Sequence, residues 1–517
     1  MAAADPQMRI ATLEAALRTA SRELHWAQFT IQKKEAEIQQ LLERLRKQRV
    51  GFLGPASETL SDLQLELLVE QEPSTTREEV EAESRREPIT EPREGHSQRR
   101  PHPGRKPLPE NLPRIEDVID CEANCTHCGE PTKLIGYDSS EVLDREPAKW
   151  FVRVTKREKR ACGKCSAVRM AELAPRIVEK GLASDRVVIE TVVSKYCDHL
   201  PLYRQEAMLE REAGLEISRA TLDGWVMRVG ELLEPVVNAM RGDLLGASYI
   251  QADETIVPVQ MHDGRGADHQ AYLWQYGTLS SGRGGETVFD FQLGRGRDGP
   301  AKFLKDWNGI LQTDGYQAYD KVGGAGLIHV DCWAHSRRKF VDAVKVNPKD
   351  GAAIAMVTRM DALFLVDRHA RQQKLGPDER AALRREHARP WVEEIYSECV
   401  KLRSQLLPKS ALGEAVNYTL NMWTKLRRCF DHAEVELSNN VAENSMRPVT
   451  LGRKNWLHVG SPKSGPKVAA ILSVVESCRR IGVPVKQYLL DVLPGMNQRK
   501  LSEVAPLTPA RWNAARA

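Results

Sequence analysis

Residues 248–333 constrain the fold more than any other stretch, because there the apolar pattern drops from helical spacing to short strand-like runs. SYIQADETIVPVQ, QAYLWQYGT and TVFDFQL read as three successive strands, AKFLKDWNG as a helix, ILQTDG as a fourth strand and GLIHVDCW as a fifth. The fold class is therefore α/β: three neighbouring strands, a helix, and a strand that returns beside the first.

That is the order of a ribonuclease H-like core. In it Asp253 lies on the first strand and Asp314 at the end of the fourth, where adjacent parallel strands bring the two carboxylates together. Taken singly, each has a structural explanation, Asp253 as a strand cap and Asp314-Gly315 as a common turn dipeptide. Glu254 points to the opposite strand face and reads as a supporting residue. A third carboxylate has to come from a helix, and SNNVAENSMRP offers Glu443 in a first turn capped by Asn440, although the same glutamate fits a plain capping box. Arg447, Arg453, Lys454, Lys463 and Lys467 follow before the next acid, Glu476, a run of cations suited to a phosphate track. Three carboxylates held together repel one another until divalent cations bind. The set predicts two Mg(II) ions, or Mn(II) in their place, and in-line attack of water on a phosphodiester.

Other modules precede this core. Cys125-Thr-His-Cys128 and, after 33 intervening residues, Cys162-Gly-Lys-Cys165 are two Cys-x-x-Cys knuckles, the spacing that sets four thiolates at the corners of a structural Zn(II) site. Cys121 and His127 are rival ligands, and the stretch KWFVRVTKREKRA alternates like strands of a ribbon within this 115–180 module. Upstream, residues 1–50 carry heptads: Ile10, Leu17, Leu24, Ile31, Ile38 and Leu45 recur every seventh position, which reads as a coiled coil and a homodimer or higher oligomer. Residues 51–114 form a partly disordered linker, with nine Glu against four Arg between Glu70 and Glu94, and end in a proline-rich basic arm that includes Arg105 and Lys106. Over 181–240, LYRQEAMLEREAG, a break at Gly214, and Ser218 capping RATLDGWVMRVG look like a helix-turn-helix with Arg219 at the start of the second helix. The core then spans 241–344 and 431–500, split by an α-helical insertion over 345–430 suited to covering the DNA or the site, and residues 501–517 read as a tail. Cys332 and His335 have metal-ligand spacing, but with no second pair nearby a packed helix start explains them better.

Composition excludes several classes. With 75 Lys plus Arg against 71 Asp plus Glu, any polyanion-binding surface is local. No uncharged apolar run approaches the roughly 18 residues of a membrane span, and the N-terminus lacks a basic flank followed by an apolar block, which predicts a cytoplasmic protein. Ten cysteines in 517 residues are too few for a secreted disulfide scaffold.

ADET at Asp253, TDGYQAYD at Asp314, CWAHSRRKF from Cys332 and NNVAENSMRPVTLGRKNWLHVGS around Glu443 resemble, in this order, the transposases of the insertion-sequence sixty-six family. The similarity runs from about residue 100 to 500, through the PGRKPLP arm and the LPLYRQE segment. The resemblance implies a DDE-type transposase with Asp253, Asp314 and Glu443 as its triad. Its DNA contacts would include Arg105, Lys106, Arg219, Arg447, Arg453 and Lys454. It implies hydrolysis that exposes a 3′-hydroxyl at the element's end, attack of that hydroxyl on target DNA, terminal inverted repeats as the bound sequence, and accessory proteins encoded beside the element. The family usually has Arg after its Glu and Asp before its Asn pair, where this chain has Asn444 and Ser438. The rival expectation is a non-catalytic DNA-binding regulator, an inactive relic that keeps the DNA-binding modules without a working metal cluster.

Overall fold

The computed structural model describes residues 150–161, 168–261, 268–280 and 283–516. The heptads, the arm with Arg105 and Lys106, and Cys125, Cys128, Cys162 and Cys165 lie outside the described residues. The chain divides into two compact units, one of residues 72–171 and one that contains 172–517.

In the smaller unit, β1 (Lys159–Ala161) pairs antiparallel with β2 (Val168–Met170), Arg160 opposite Arg169. The Arg157 Nε donates to the Ala171 carbonyl at 2.6 Å and closes the ribbon beyond the ladder.

The larger unit opens with α1 (Asp185–Tyr196), α2 (Leu202–Ala213) and α3 (Arg219–Leu245). Gly214 ends α2 in the left-handed region at φ 62°, where its N–H reaches the Glu210 carbonyl at 2.9 Å, a geometry that favours glycine. Ser218 then caps α3 by accepting the Thr221 N–H at 3.3 Å. The second helix of this hairpin does not stop near residue 240. Leu222, Val226, Val229, Leu233, Val236 and Met240 recur at helical spacing and are all buried, so α3 continues to Leu245 as a core helix. Its first residues, Arg219 to Thr221, are exposed, and so are Glu231, Asn238 and Gly242 on the face turned away from the core.

Next come β3 (Tyr249–Gln260), β4 (Asp268–Ser280), β5 (Arg283–Gln292), α4 (Asp298–Leu304), β6 (Ile310–Thr313) and β7 (Ile328–Asp331). They form one five-stranded sheet in the order β5-β4-β3-β6-β7, antiparallel from β5 to β3 and parallel from β3 to β7. The strand succession matches the sequence pattern; the intervening helix starts three residues earlier than the AKFLKDWNG run.

After β7, α5 (Trp333–Val346) leads into α6 (Gly351–Gln372), α7 (Pro377–Leu383), a π-helical turn at Arg384–Ala388, α8 (Arg389–Gln405) and α9 (Ala411–Arg428). Apart from α7, none of whose residues is buried, these helices share a core with Tyr249, Ile310 and Val330 of the sheet. The chain returns as α10 (Asn440–Trp456), α11 (Gly465–Ile481) and α12 (Val485–Val492), which share the other core with α1, α3 and β3–β5. Both outer strands are covered. Ser473 and Ser477 of α11 accept the Phe289 and Thr287 N–H groups of β5 at 2.8 and 2.9 Å, and Arg428 donates to the His329 carbonyl of β7 at 3.1 Å. Residues 501–517, read from sequence as a tail, add α13 (Leu501–Val504) and α14 (Pro509–Ala514). There Trp512 stacks edge-on against Tyr488 and is buried. No helix among the described residues is long and apolar enough to cross a membrane.

Candidate active site

Gln251 of β3 stands opposite Gln312 of β6 in the parallel ladder. Asp253 and Asp314, each two residues further on, are therefore level on the same sheet face at the end of β6. Burial pushes the Asp253 carboxyl well above its ordinary value, and the negative charges of Asp314, Glu254 and Glu443 add to that in falling order. Asp314 Oδ1 accepts the Tyr316 N–H at 2.9 Å, and its carbonyl accepts the Tyr418 hydroxyl of α9 at 2.8 Å. The chain turns directly after it at Gly315, φ 95°, where an added Cβ would stand 3.2 Å from Met422 Sδ and 3.4 Å from Asp331 Oδ2. Glu254 is a brace. Its carboxylate accepts Arg295 Nε and Nη2 at 3.1 and 2.7 Å and the Tyr319 hydroxyl at 2.9 Å, which locks β3 against the loops after β5 and β6.

Glu443 reaches the same end of the sheet from α10, but its cap differs from the expected one. Asn439, not Asn440, is the N-cap, and its carbonyl accepts the Ala442 and Glu443 N–H groups at 2.9 and 3.1 Å. The Glu443 side chain makes no capping box and is turned toward α5, with Oε1 3.6 Å from His335 Nδ1 and Oε2 3.8 Å from Arg338 Nη2. Among the described residues, the three whose ligand atoms all lie within 4.8 Å of one another are Cys332, His335 and Glu443, not the three expected carboxylates. Like charges repel, and Glu443 settles against the cation and imidazole of α5. Cys332 is the buried N-cap of α5, as a packed helix start requires, and burial raises its thiol to about 12.

Two features of the site had weak sequence signals. Gln251 and Gln312 are completely buried in apolar strands and stitch the 436–442 loop to the sheet. Gln251 Nε2 donates to the Ser438 carbonyl at 2.9 Å, Gln312 Nε2 to the Glu436 carbonyl at 2.7 Å, and Gln251 Oε1 accepts the Ala442 N–H at 3.3 Å. The repeated Gln-x-Asp at 251–253 and 312–314 was their signature. Asp331, at the end of β7, is 1% exposed and neither of its oxygens has a hydrogen-bond donor. Its nearest cationic candidate, His329 Nε2 at 3.6 Å, is neutral, because burial drops that imidazole to about 3. Burial raises the Asp331 carboxyl to about 7, opposed by Lys425 and reinforced by Asp314.

Residues 180–467 match the Transposase IS66 family, a span that holds the whole sheet, the helical insertion and Glu443. The chain belongs to that family. Residues 122–166 match the zinc-finger binding domain of transposase IS66, which covers both Cys-x-x-Cys pairs and supports a structural zinc, and residues 40–116 match a region described as Transposase C of IS166 homeodomain. The IS66 protein is also similar to three uncharacterized proteins of Sinorhizobium fredii. It is 33% identical to y4qI over 80% of this chain and 78% of that protein, 29% identical to y4hP over 93% and 89%, and 30% identical to y4jD over 79% and 82%.

The basic residues singled out in the IS66 chain divide by environment. Arg447 and Lys454 are exposed on α10. Arg453 instead braces α10 on β3, its Nη1 donating to the Ile256 carbonyl at 2.6 Å and to Thr255 Oγ1 at 3.2 Å. Arg219 is exposed and pairs with Glu206 at 3.2 Å.

Proposed function

We infer that this IS66-family protein is an active DNA transposase, with a ribonuclease H-like core that cuts the ends of its element and joins them to target DNA. The observation that carries the reading is the closeness of Asp253 on β3 to Asp314, which directly follows the parallel neighbour β6, with burial first and the charge of Asp314 next raising the Asp253 carboxyl. Carboxylates crowded in this way favour a divalent cation over protons.

The donor set of Asp253, Asp314 and Glu443 is oxygen only, which suits Mg(II) or Mn(II). Bound there, such ions supply a Lewis acid for the phosphodiester and a lowered pKa for the attacking oxygen. The chain's own residues do the positioning. Arg295 and Tyr319 hold β3 through Glu254, the glutamine pair holds the loop that carries Glu443, and Arg447 and Lys454 offer phosphates a cationic helix face. The zinc module, the Arg105–Lys106 arm and the Arg219 end of α3 serve to bind terminal inverted repeats. The N-terminal heptads pair subunits so that two ends are cut together in the cytoplasm, where accessory proteins of the element join them.

The test is Mg(II)-dependent nicking and joining of terminal-repeat duplex by the full chain. Asp253→Ala and Asp314→Ala should each lower both activities roughly a thousandfold while leaving repeat binding intact. Unchanged joining by Asp314→Ala would remove the triad from the mechanism. A protein that binds the repeats with or without Mg(II) and never joins strands is the regulator instead.

A further inference from the structure

The triad reading gives no work to His335, yet the geometry around it is that of a ligand. It lies on the first turn of α5, one turn after Cys332, and its Nδ1 is buried with no hydrogen-bond partner. That nitrogen looks directly at Glu443 Oε1 across 3.6 Å. A neutral imidazole nitrogen and a carboxylate oxygen are both electron-pair donors once the ring proton sits on Nε2, and two such donors attract each other only through a cation between them. Donors about 2.1 Å from a shared ion lie about 3.0–3.4 Å apart, so the observed separation needs a contraction of only a few tenths of an ångström. The backbone around the pair is held. Trp333 N donates to the Leu437 carbonyl at 2.8 Å, and the Asn439 N–H reaches Cys332 Sγ at 3.5 Å, which ties the start of α5 to the loop that delivers Glu443. Cys332 thus has a packing role that occupies its sulfur.

We propose that His335 is a direct nitrogen ligand of the divalent cation that Glu443 holds, making that half of the metal site a mixed nitrogen–oxygen site. The assignment rests on the carboxylate reading above and adds a consequence for ion choice. Imidazole binds Mn(II) better than it binds Mg(II), whose preference is for oxygen. The half-site therefore prefers manganese, and the preference belongs to His335.

Pulsed electron paramagnetic resonance on the zinc-loaded full chain with one equivalent of Mn(II) tests this without any turnover, since zinc is silent there. The wild-type spectrum should carry a nitrogen hyperfine coupling that disappears in His335→Ala and persists in Cys332→Ser. A titration should show Mn(II) binding about tenfold weaker in His335→Ala with Mg(II) binding changed less than twofold. Manganese that binds through Asp253, as judged by its loss in Asp253→Asn, but shows no nitrogen coupling overturns the His335 assignment alone. So does a coupling that survives His335→Ala or vanishes in Cys332→Ser. Manganese that does not bind, or binds Asp253→Asn as well as the wild type, overturns the carboxylate reading with it.

Discussion

Asp331 illustrates how much a single buried carboxyl can reveal about its surroundings. In an unfolded chain it ionises near its ordinary value of 3.8, whereas in the fold it holds its proton to about 7. Between those two values the unfolded state gives up a proton that the folded state keeps, so this group's contribution to stability falls as pH rises from about 4 to 7 and stays low above that. At about 1.4 kcal/mol per pK unit over a rise of about three units, the loss is about 4 kcal/mol. Asp331→Asn should therefore match the wild type near pH 4 and exceed it by about that amount at pH 8 in urea unfolding; a difference that does not grow with pH contradicts the argument. The residue was invisible as a special case in GLIHVDCW, because an aspartate at a strand end normally finds a backbone donor or solvent. Asp253 and Asp314 were readable for the opposite reason: their adjacency follows from strand order, which the apolar pattern encodes locally.

At the scale of elements, the helical insertion acquires a definite structural task. Arg384, 1% exposed on the π-helical turn, is held by both oxygens of the equally buried Asp367 at 2.8 and 2.6 Å. Its remaining donors go to the carbonyls of Cys429, His432 and Val435 at 2.9, 3.0 and 2.7 Å, in the loop that leads to Glu443. Arg380 extends the network from Asp367 to Glu436 at 2.9 and 3.0 Å. The insertion thus clamps the approach to α10 from one side while Gln251 and Gln312 clamp it from the other. Removing one partner of a buried pair leaves an uncompensated charge. Asp367→Ala should destabilise by about 3–5 kcal/mol, and the double variant Asp367→Leu/Arg384→Met should recover much of that stability while still lowering cleavage, since the loop loses its anchor. Calorimetry with a nicking assay checks both halves, and a double variant with full activity would show that the anchor is dispensable. Helical periodicity announced these helices; the clamp was not legible, since its donors and acceptors are dozens of residues apart.

For the molecule as a whole, the expectation is that zinc loading of the Cys-x-x-Cys module and the stability of the 172–517 unit can be measured apart. Binding of a structural zinc contributes directly to the folding of the module that holds it. Cys162→Ser should lower bound zinc from about one equivalent to none and weaken repeat binding, while a truncated chain of residues 172–517 keeps the melting transition of the intact protein's larger unit; loss of that transition on truncation would show that the unit depends on what precedes it. Sequence alone determined the succession of strands and helices, the cysteine spacing and the family, because apolar period, turn chemistry and motif order are written over short stretches. It also brought out three candidate carboxylates. Which way Glu443 turns, that His335 faces it, that Arg453 braces β3 and that α3 is a core helix were decided only by the tertiary structure. Those outcomes depend on which distant groups become neighbours when two cores close on the two faces of one sheet, and on which charges then have to share a site from which most water is excluded.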